Sequence, residues 1–143
     1  MNLDPWPAPP AENCVRLCMV GDIVGKPGIR IACAAVPWLR RELKADAVVV
    51  NAENAADGSG LRCKDYRRLI EAGVDGITLG DHLYKKREII EVLEAESNII
   101  RPANLPSQAP GKAYMVLPVK NETTIAITCA LGRVFMKPID CPF

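Results

Sequence analysis

Three short polar segments carry the side chains of this sequence that are best suited to chemistry. Each segment follows directly on an apolar run, and together they contain Asp22, Glu53, Asn54, Asp81 and His82. Oxygen donors with one imidazole suit a hard or borderline divalent metal such as manganese, iron or magnesium. Carboxylates placed close together repel one another, and a bound cation relieves that repulsion. The residue types therefore predict a divalent metal site, provided that the fold brings the three segments together.

Alternating strands and helices are predicted around these segments. Apolar runs predict strands at residues 15–20, 47–50, 76–79 and 99–100. Helical spacing of apolar side chains predicts helices at residues 29–43, 62–72 and 88–93. Such alternation is typical of an α/β fold with a parallel sheet, which we expect to be covered by helices on both faces. The three polar segments leave the carboxyl ends of strands, where ligands of open α/β sheets bind, so we expect them to converge.

The later part of the chain changes character. Apolar runs at residues 113–119 and 123–130 are joined by Lys120-Asn121-Glu122, which predicts a late β-hairpin. We expect the sheet to become partly antiparallel at this point. Residues 1–13 are rich in proline and predict a flexible, polyproline-like tail, which leaves residues 14–143 as one domain.

Composition excludes several classes of protein. The 143 residues contain 18 Lys and Arg against 17 Asp and Glu, and such a balanced charge argues against a nucleic-acid partner. No apolar run approaches the roughly 20 residues that span a bilayer, so we expect no membrane association. The six cysteines form no CxxC pair, which favours buried, reduced thiols over disulfides or a zinc site. With no signal-like segment in residues 1–13, a cytoplasmic location is expected.

Five blocks of the sequence, in this order, carry a resemblance to a known family. They are GDIVGKPG, VVVNAENAADGSGL, GVDGITLGDHLYKKREI, IRPANLPSQAPGKAY and GRVFMKPIDCPF. In order and spacing they resemble the YmdB-type bacterial metallophosphoesterases, a branch of the calcineurin-like superfamily. The resemblance runs from about Val15 to Phe143. It implies a layered metallophosphoesterase-like fold and hydrolysis of 2′,3′- and 3′,5′-cyclic nucleotides at a dinuclear centre of iron or manganese, with magnesium as an alternative.

By position, the resemblance implies a role for each polar side chain named above. Asp22 would bind one metal, Glu53 would bridge both metals and Asn54 would be a further ligand. Asp81 would bind the second metal, and His82 would be the acid that protonates the leaving ribose oxygen. The implied substrate is a small cyclic nucleotide.

The sequence departs from the family pattern in two respects. The family has Gly-Asn-His where this chain has Gly80-Asp81-His82, and the added charge should tighten metal binding and weaken Lewis acidity. Family members are also much longer than the matched part and supply further metal-binding histidines. This chain has one histidine, and one histidine with three or four oxygen ligands can hold one metal but hardly completes two sites. We therefore expect the N-terminal part of a metallophosphoesterase domain, with little turnover and with exposed sheet edges that favour a homo-oligomer.

Plainer interpretations of the same residues stay open. Asp22 could cap a helix or a turn, since it follows a strand and precedes a helix. Glu53 and Asn54 could be ordinary polar loop residues. His82 could be a surface or hydrogen-bonded histidine with no role in chemistry.

Two other functions also fit the sequence. One is a non-catalytic binding or regulatory module that keeps the half-fold and binds a partner through an exposed edge. The other is a nucleotide-binding, Rossmann-like domain that uses the glycines of residues 21–28, although these match neither the Walker A motif nor the dinucleotide fingerprint. Arg101, Asn104 and Arg133 lie in blocks that resemble the family, but the sequence assigns them no role.

Overall fold

A computed structural model of the chain describes residue 11 and residues 13–143. The proline-rich segment 1–13 therefore lies almost wholly outside the described residues. The described elements are β1 (Leu17–Val20), α1 (Gly25–Glu42), β2 (Ala47–Asn51), α2 (Cys63–Glu71), β3 (Gly76–Thr78), α3 (Ile89–Ala95), β4 (Ile99–Ile100), β5 (Tyr114–Pro118) and β6 (Thr124–Thr128). Their order confirms the predicted sequence of three strand-helix units, a short fourth strand and a hairpin.

Strands β1 to β4 form one parallel sheet in sequential order. The register pairs Val20 with Val50, Asn51 with Thr78, and Thr78 with Ile100. Parallel strands need covering on both faces, which explains why residues 47–50 of β2 are apolar throughout and buried. All four strands end at the same edge, so the loops that follow β1, β2 and β3 must start side by side.

All three helices pack on one face of the sheet, whereas the sequence predicted helices on both faces. The shared core on this face includes Ile29, Val36, Leu69, Ile89 and Leu93 from the helices and Val48, Val50, Ile77 and Ile99 from the strands. The strand order explains the difference. Right-handed connections place every helix on the same side when each strand joins the sheet beside the preceding one. Helices on both faces require the strand order to reverse.

The other face of the sheet is covered by the hairpin. Strands β5 and β6 form a separate two-stranded antiparallel sheet. The predicted hairpin is confirmed, but the expectation that it extends the first sheet is wrong. Met115, Leu117 and Ile127 pack against Val49 and Ile100. Buried and exposed positions alternate along β5, so the hairpin buries the face that carries Met115 and Leu117 as a further layer.

Helix α1 begins four residues before the predicted start, within a segment that the glycines and proline marked as a loop. Pro27 lies in the first turn, where the missing backbone N–H would have no carbonyl partner, so it does not interrupt the helix. Gly25 has a φ of +60°, which glycine adopts without steric cost. A Cβ at Gly28 would lie 3.1 Å from Ile23 Cγ2. The glycines therefore permit a tight entry into the helix.

Replacing Gly76 by alanine is expected to destabilise the fold. A Cβ at this position would lie 2.5 Å from the Cε of Met115, which is only 2% exposed and has little room to move. Overpacking of this kind costs about 1–3 kcal/mol in the free energy of unfolding, measurable by urea denaturation. The control is Gly132→Ala, since nothing lies within 4 Å of a Cβ there. Equal stability of the two variants would contradict the packing of the hairpin on the sheet.

The six cysteines are free thiols in the described structure. The expectation that they are buried is wrong, because Cys14 and Cys141 are exposed and the other four are partly buried. Cys129 donates its thiol hydrogen to the Leu79 carbonyl at 3.4 Å, and burial raises its pKa to about 11. None of the helices within the described residues is long and apolar enough to cross a membrane.

Candidate metal centre

Three loops meet at the carboxyl edge of the parallel sheet, as the sequence predicted. Backbone hydrogen bonds join the loops beyond the strand ends. The Ile23 N–H donates to the Asn51 carbonyl at 2.9 Å, and the Ala52 N–H donates to the Thr78 carbonyl at 3.1 Å. The residues that follow β1 and β2 are therefore each tied to the end of the neighbouring strand.

Glu53, Asp81 and His82 form a cluster of metal-binding side chains at this edge. Two carboxylate oxygens and one imidazole nitrogen, one atom from each residue, lie within 4.8 Å of one another. His82 Nε2 lies 3.8 Å from Asp81 Oδ2, and the His82 backbone N–H donates to Glu53 Oε2 at 3.3 Å. Glu53 and His82 are partly buried and Asp81 is exposed. Two oxygen donors with one imidazole fit manganese or iron.

Asp22 and Asn54 lie beside this cluster and are joined to it by hydrogen bonds. Asn54 Nδ2 donates to Asp22 Oδ1 at 2.7 Å, and Asn54 Oδ1 lies 2.6 Å from His82 Nδ1. A carboxylate only accepts hydrogen bonds, so the Asn54 nitrogen must face Asp22 and its oxygen must face His82. His82 Nδ1 therefore carries the hydrogen, and Nε2 is left to bind a metal or exchange a proton.

The electrostatics of Glu53 favour a cation at this place. Burial raises the pKa of Glu53 above its ordinary value, and the neighbouring Asp81 carboxyl raises it further, although the hydrogen bond from the His82 backbone N–H opposes the shift. The ionised form is therefore disfavoured in the metal-free protein. A divalent ion would stabilise that form and remove the repulsion between Glu53 and Asp81, so the donor set fits a metal site.

Two residues that position Glu53 were not identified from the sequence. Asn51 Oδ1 accepts a hydrogen bond from the Glu53 backbone N–H at 3.2 Å, which is the spacing of an Asx turn and could have been recognised. A Cβ at Gly80 would overlap the Glu53 carboxylate. Gly80 and Glu53 lie in different loops and meet only in the folded protein. No local sequence pattern could therefore have identified Gly80.

Arg101 and Asn104, which the sequence left without a role, hold loops in place. The Arg101 guanidinium is buried and donates to the carbonyls of Pro102, Ala109 and Gly111 at 2.9–3.1 Å. Asn104 is also buried, and its side chain donates to the carbonyls of residues 131 and 140 at 2.9 and 3.0 Å. Asn104 thereby fixes the C-terminal segment.

That C-terminal segment forms one wall of a cleft beside the cluster. The cleft has a volume of about 650 Å³ and includes Asp81 and His82 in its lining. The loop that follows β3 also lines the cleft, with residues 81–85. The remaining lining is largely apolar, with Leu105 and Phe135 among its residues. A cleft of this size with few polar groups suits a small organic ligand next to the candidate metal centre.

Replacing Asp81 by asparagine tests the contribution of the extra carboxylate. The neutral amide keeps an oxygen donor but removes a charge, so we expect the dissociation constant for manganese to rise about tenfold, in line with the dependence of cation affinity on ligand charge. Isothermal titration calorimetry measures the change. The control is Asp57→Asn, because Asp57 is exposed and pairs with Arg62 rather than with the cluster. An unchanged affinity in Asp81→Asn would show that the extra negative charge contributes nothing to metal binding.

Comparisons with known proteins agree with the fold. The profile of a family described as "YmdB-like protein" matches residues 18–143. A Bacillus subtilis (strain 168) protein named 2′,3′-cyclic-nucleotide 2′-phosphodiesterase is 39% identical over 129 residues, which cover 90% of this chain and 48% of that protein.

Two crystal structures are similar. One is of a hypothetical protein from Thermus thermophilus, with a TM-score of 0.84 and 38% identity over 90% of this chain and 49% of that chain. The other is of a novel phosphatase from Mycoplasma pneumoniae, with a TM-score of 0.76 and 35% identity over 84% of this chain and 44% of that chain.

The chain spans about half the length of the curated relatives that it matches. Within that span, the sheet, the hairpin and the order of elements agree with the fold that the sequence resemblance implied. Because the family profile covers residues 18–143 and the Bacillus protein is 39% identical over 90% of the chain, this protein belongs to the YmdB-like family.

Proposed function

We propose that this protein contributes the metal site of a metal-dependent phosphodiesterase that hydrolyses cyclic nucleotides. The observation that carries the proposal is the convergence of Glu53, Asp81 and His82 at the carboxyl edge of the sheet. The name of the Bacillus relative supports 2′,3′-cyclic nucleotides as the substrate. We propose 3′,5′-cyclic nucleotides as a second class of substrate.

The metal ligands in this proposal are Asp22, Glu53, Asn54 and Asp81, and the bound ions are iron or manganese, with magnesium as an alternative. Two ions would be held in the complete site, with Glu53 between them. When bound, the metals activate water and neutralise the phosphoryl oxygens. The donors among the described residues are sufficient for one ion, and a second ion needs further ligands.

His82 is the proposed acid. Its Nδ1 hydrogen faces Asn54 Oδ1 at 2.6 Å, so the ring is held with Nε2 toward Asp81 and the cleft. In hydrolysis one water adds to phosphorus, one ester bond from phosphorus to a ribose oxygen breaks, and that oxygen gains a proton. Protonated Nε2 is placed to supply this proton. The apolar walls of the cleft would receive the nucleoside.

We also propose that residues 14–143 form the N-terminal part of the metallophosphoesterase domain and act in the cytoplasm, where free thiols such as those of the described structure persist. Because the described donors complete one metal site, the 143-residue chain is expected to turn over substrate slowly by itself. Self-association could supply further ligands, so a homo-oligomer is part of the proposal.

The test is metal content by mass spectrometry on the purified chain, together with hydrolysis of bis-p-nitrophenyl phosphate and 2′,3′-cyclic AMP in added manganese. We expect one bound ion per chain and slow hydrolysis that ends when EDTA is added. Rapid turnover with two ions would contradict the expected impairment. A chain that takes up no metal would contradict the enzyme proposal and favour a binding module. Nucleotide affinity that survives EDTA would favour the Rossmann-like alternative.

A further inference from the structure

A second charged feature lies between α1 and α2. It is a groove of about 370 Å³, here called the basic groove, and it is lined by Lys26, Pro27, Arg30, Arg62, Lys64, Asp65 and Arg68. Five of these seven residues are cations. They come from two separate segments of the chain, so neither the balanced net charge nor any contiguous run of basic residues reveals them.

The cations are stacked on facing surfaces of the two helices. Lys26 and Arg30 are four residues apart on α1, and Lys64 and Arg68 are four residues apart on α2, so each pair shares a helix face. The thiol of Cys33 on α1 donates to the Arg68 carbonyl at 3.7 Å, which brings the two faces together. Like charges at this spacing repel and destabilise a helix. The repulsion among these cations lowers the stability of the folded protein, and a bound anion would relieve it.

Acidic side chains compensate only part of this charge. Arg62 pairs with Asp57 at 2.5 Å, and Arg68 lies 3.7 Å from Asp65. Lys26, Arg30 and Lys64 make no ion pair with residue 11 or residues 13–143. Three positive charges are therefore available to a ligand within the described structure.

Backbone hydrogen bonds tie the segments that lead into the basic groove to the loop that carries Glu53 and Asn54. The Gly25 N–H donates to the Asn54 carbonyl at 3.0 Å, and the Gly60 N–H donates to the Glu53 carbonyl at 2.5 Å. Lys26 follows Gly25 directly, and Arg62 comes two residues after Gly60. The two sites are separate cavities whose supporting backbone segments are in contact, so a ligand that reaches both must be an extended one.

We propose that the basic groove binds the phosphate backbone of an oligoribonucleotide whose terminal 2′,3′-cyclic phosphate is the substrate of the metal centre. This inference rests on the proposed function and specifies its substrate class. A mononucleotide has one phosphate and cannot use both the metal centre and the groove, whereas an oligonucleotide carries further phosphates on the 5′ side of its cyclic end. Such ends are the product when a ribose 2′-hydroxyl attacks the adjacent phosphodiester, so RNA cleavage by transesterification is the class of reaction that supplies this substrate.

The binding test uses octauridylate with a 5′-fluorescein label and a 2′,3′-cyclic phosphate end, and it measures fluorescence anisotropy with the full chain in EDTA at low salt. We expect binding that weakens with salt, because each neutralised phosphate of a single strand contributes about 0.7 to the slope of log affinity against log salt. The double variant Arg30→Glu/Lys64→Glu should bind at least about tenfold more weakly and show a smaller salt slope. The control is the double variant Arg41→Glu/Lys44→Glu, the same change in net charge at exposed residues near the other end of α1.

The outcomes separate this inference from the function on which it rests. Equal affinity of the double variant and the wild type would overturn it, and so would equally effective displacement by a polyglutamate of the same charge. With manganese present, the cyclic end should bind more tightly than an otherwise identical 3′-hydroxyl end, and equal binding would overturn the link between groove and metal centre. A chain that binds the oligonucleotide through the groove but takes up no metal would contradict the enzyme proposal alone.

Discussion

Replacing Glu53 by glutamine is expected to abolish metal binding and at the same time to stabilise the metal-free protein. Glu53 is central to the cluster, since its carboxylate lies beside Asp81 and accepts from the His82 backbone N–H. Loss of a ligand charge should weaken manganese binding by at least about a hundredfold. This is more than the effect of removing a residue that only hydrogen-bonds to a ligand. Glutamine keeps the shape and an accepting oxygen, so the hydrogen bond from His82 can remain.

The stabilising effect follows from the direction of the Glu53 pKa. Burial raises the pKa of Glu53 in the folded state, so its ionisation costs stability as the pH rises through that pKa. In EDTA at about pH 7, Glu53→Gln should therefore melt at a higher temperature than the wild type. Below the ordinary glutamate pKa of about 4.3, the carboxyl is protonated in both the folded and the unfolded state, and the difference should vanish.

Differential scanning calorimetry in EDTA and calorimetric titration with manganese measure the two effects. The control is Glu94→Gln, an equal change at an exposed position on α3, which should alter neither metal affinity nor the pH dependence of melting. Wild-type manganese affinity in Glu53→Gln would rule out this residue as a ligand. A lower melting temperature at neutral pH would show that Glu53 contributes a favourable interaction in the metal-free protein.

Replacing Gly80 by alanine is expected to disrupt the same site without removing a single donor atom. The added methyl group would occupy the position of the Glu53 carboxylate, so that side chain must leave its place. We expect manganese affinity to fall at least about tenfold, as found when a residue that orients a ligand is changed. The free energy of unfolding should change much less, because the overlapping atoms are the end of a flexible, partly buried side chain that can move aside.

Gly21→Ala is a matched control for Gly80→Ala. Gly21 also stands between a strand and an aspartate, but nothing lies within 4 Å of a Cβ at that position, so its alanine variant should bind metal like the wild type. If Gly80→Ala binds manganese with wild-type affinity, Gly80 does not position Glu53.

The residues of the candidate site could be found from the sequence because each follows a strand signal. Asp22, Asp81 and His82 come soon after short apolar runs, and parallel strands necessarily bring such positions to one edge. The assignment of His82 as an acid rather than a ligand rests on the family resemblance. The structure adds that Asn54 directs His82 Nε2 toward Asp81.

Sequence reasoning was sufficient for the elements that local patterns encode: the buried strands, the amphipathic helices, the hairpin and the polar loops between them. These depend on the spacing of apolar side chains within a few residues, and that spacing is visible in the chain itself. The start of α1 was misplaced because Pro27 and its neighbouring glycines are compatible with either a loop or a helix start.

Tertiary structure alone decided the features that depend on which segments become neighbours. The sequential strand order put every helix on one face and left the other face to the hairpin. Close packing made Gly80 a determinant of the Glu53 position, and the contact between α1 and α2 assembled a basic groove from cations that are distant in the sequence. Such contacts join residues far apart along the chain, so their energies arise only after folding and no local pattern records them.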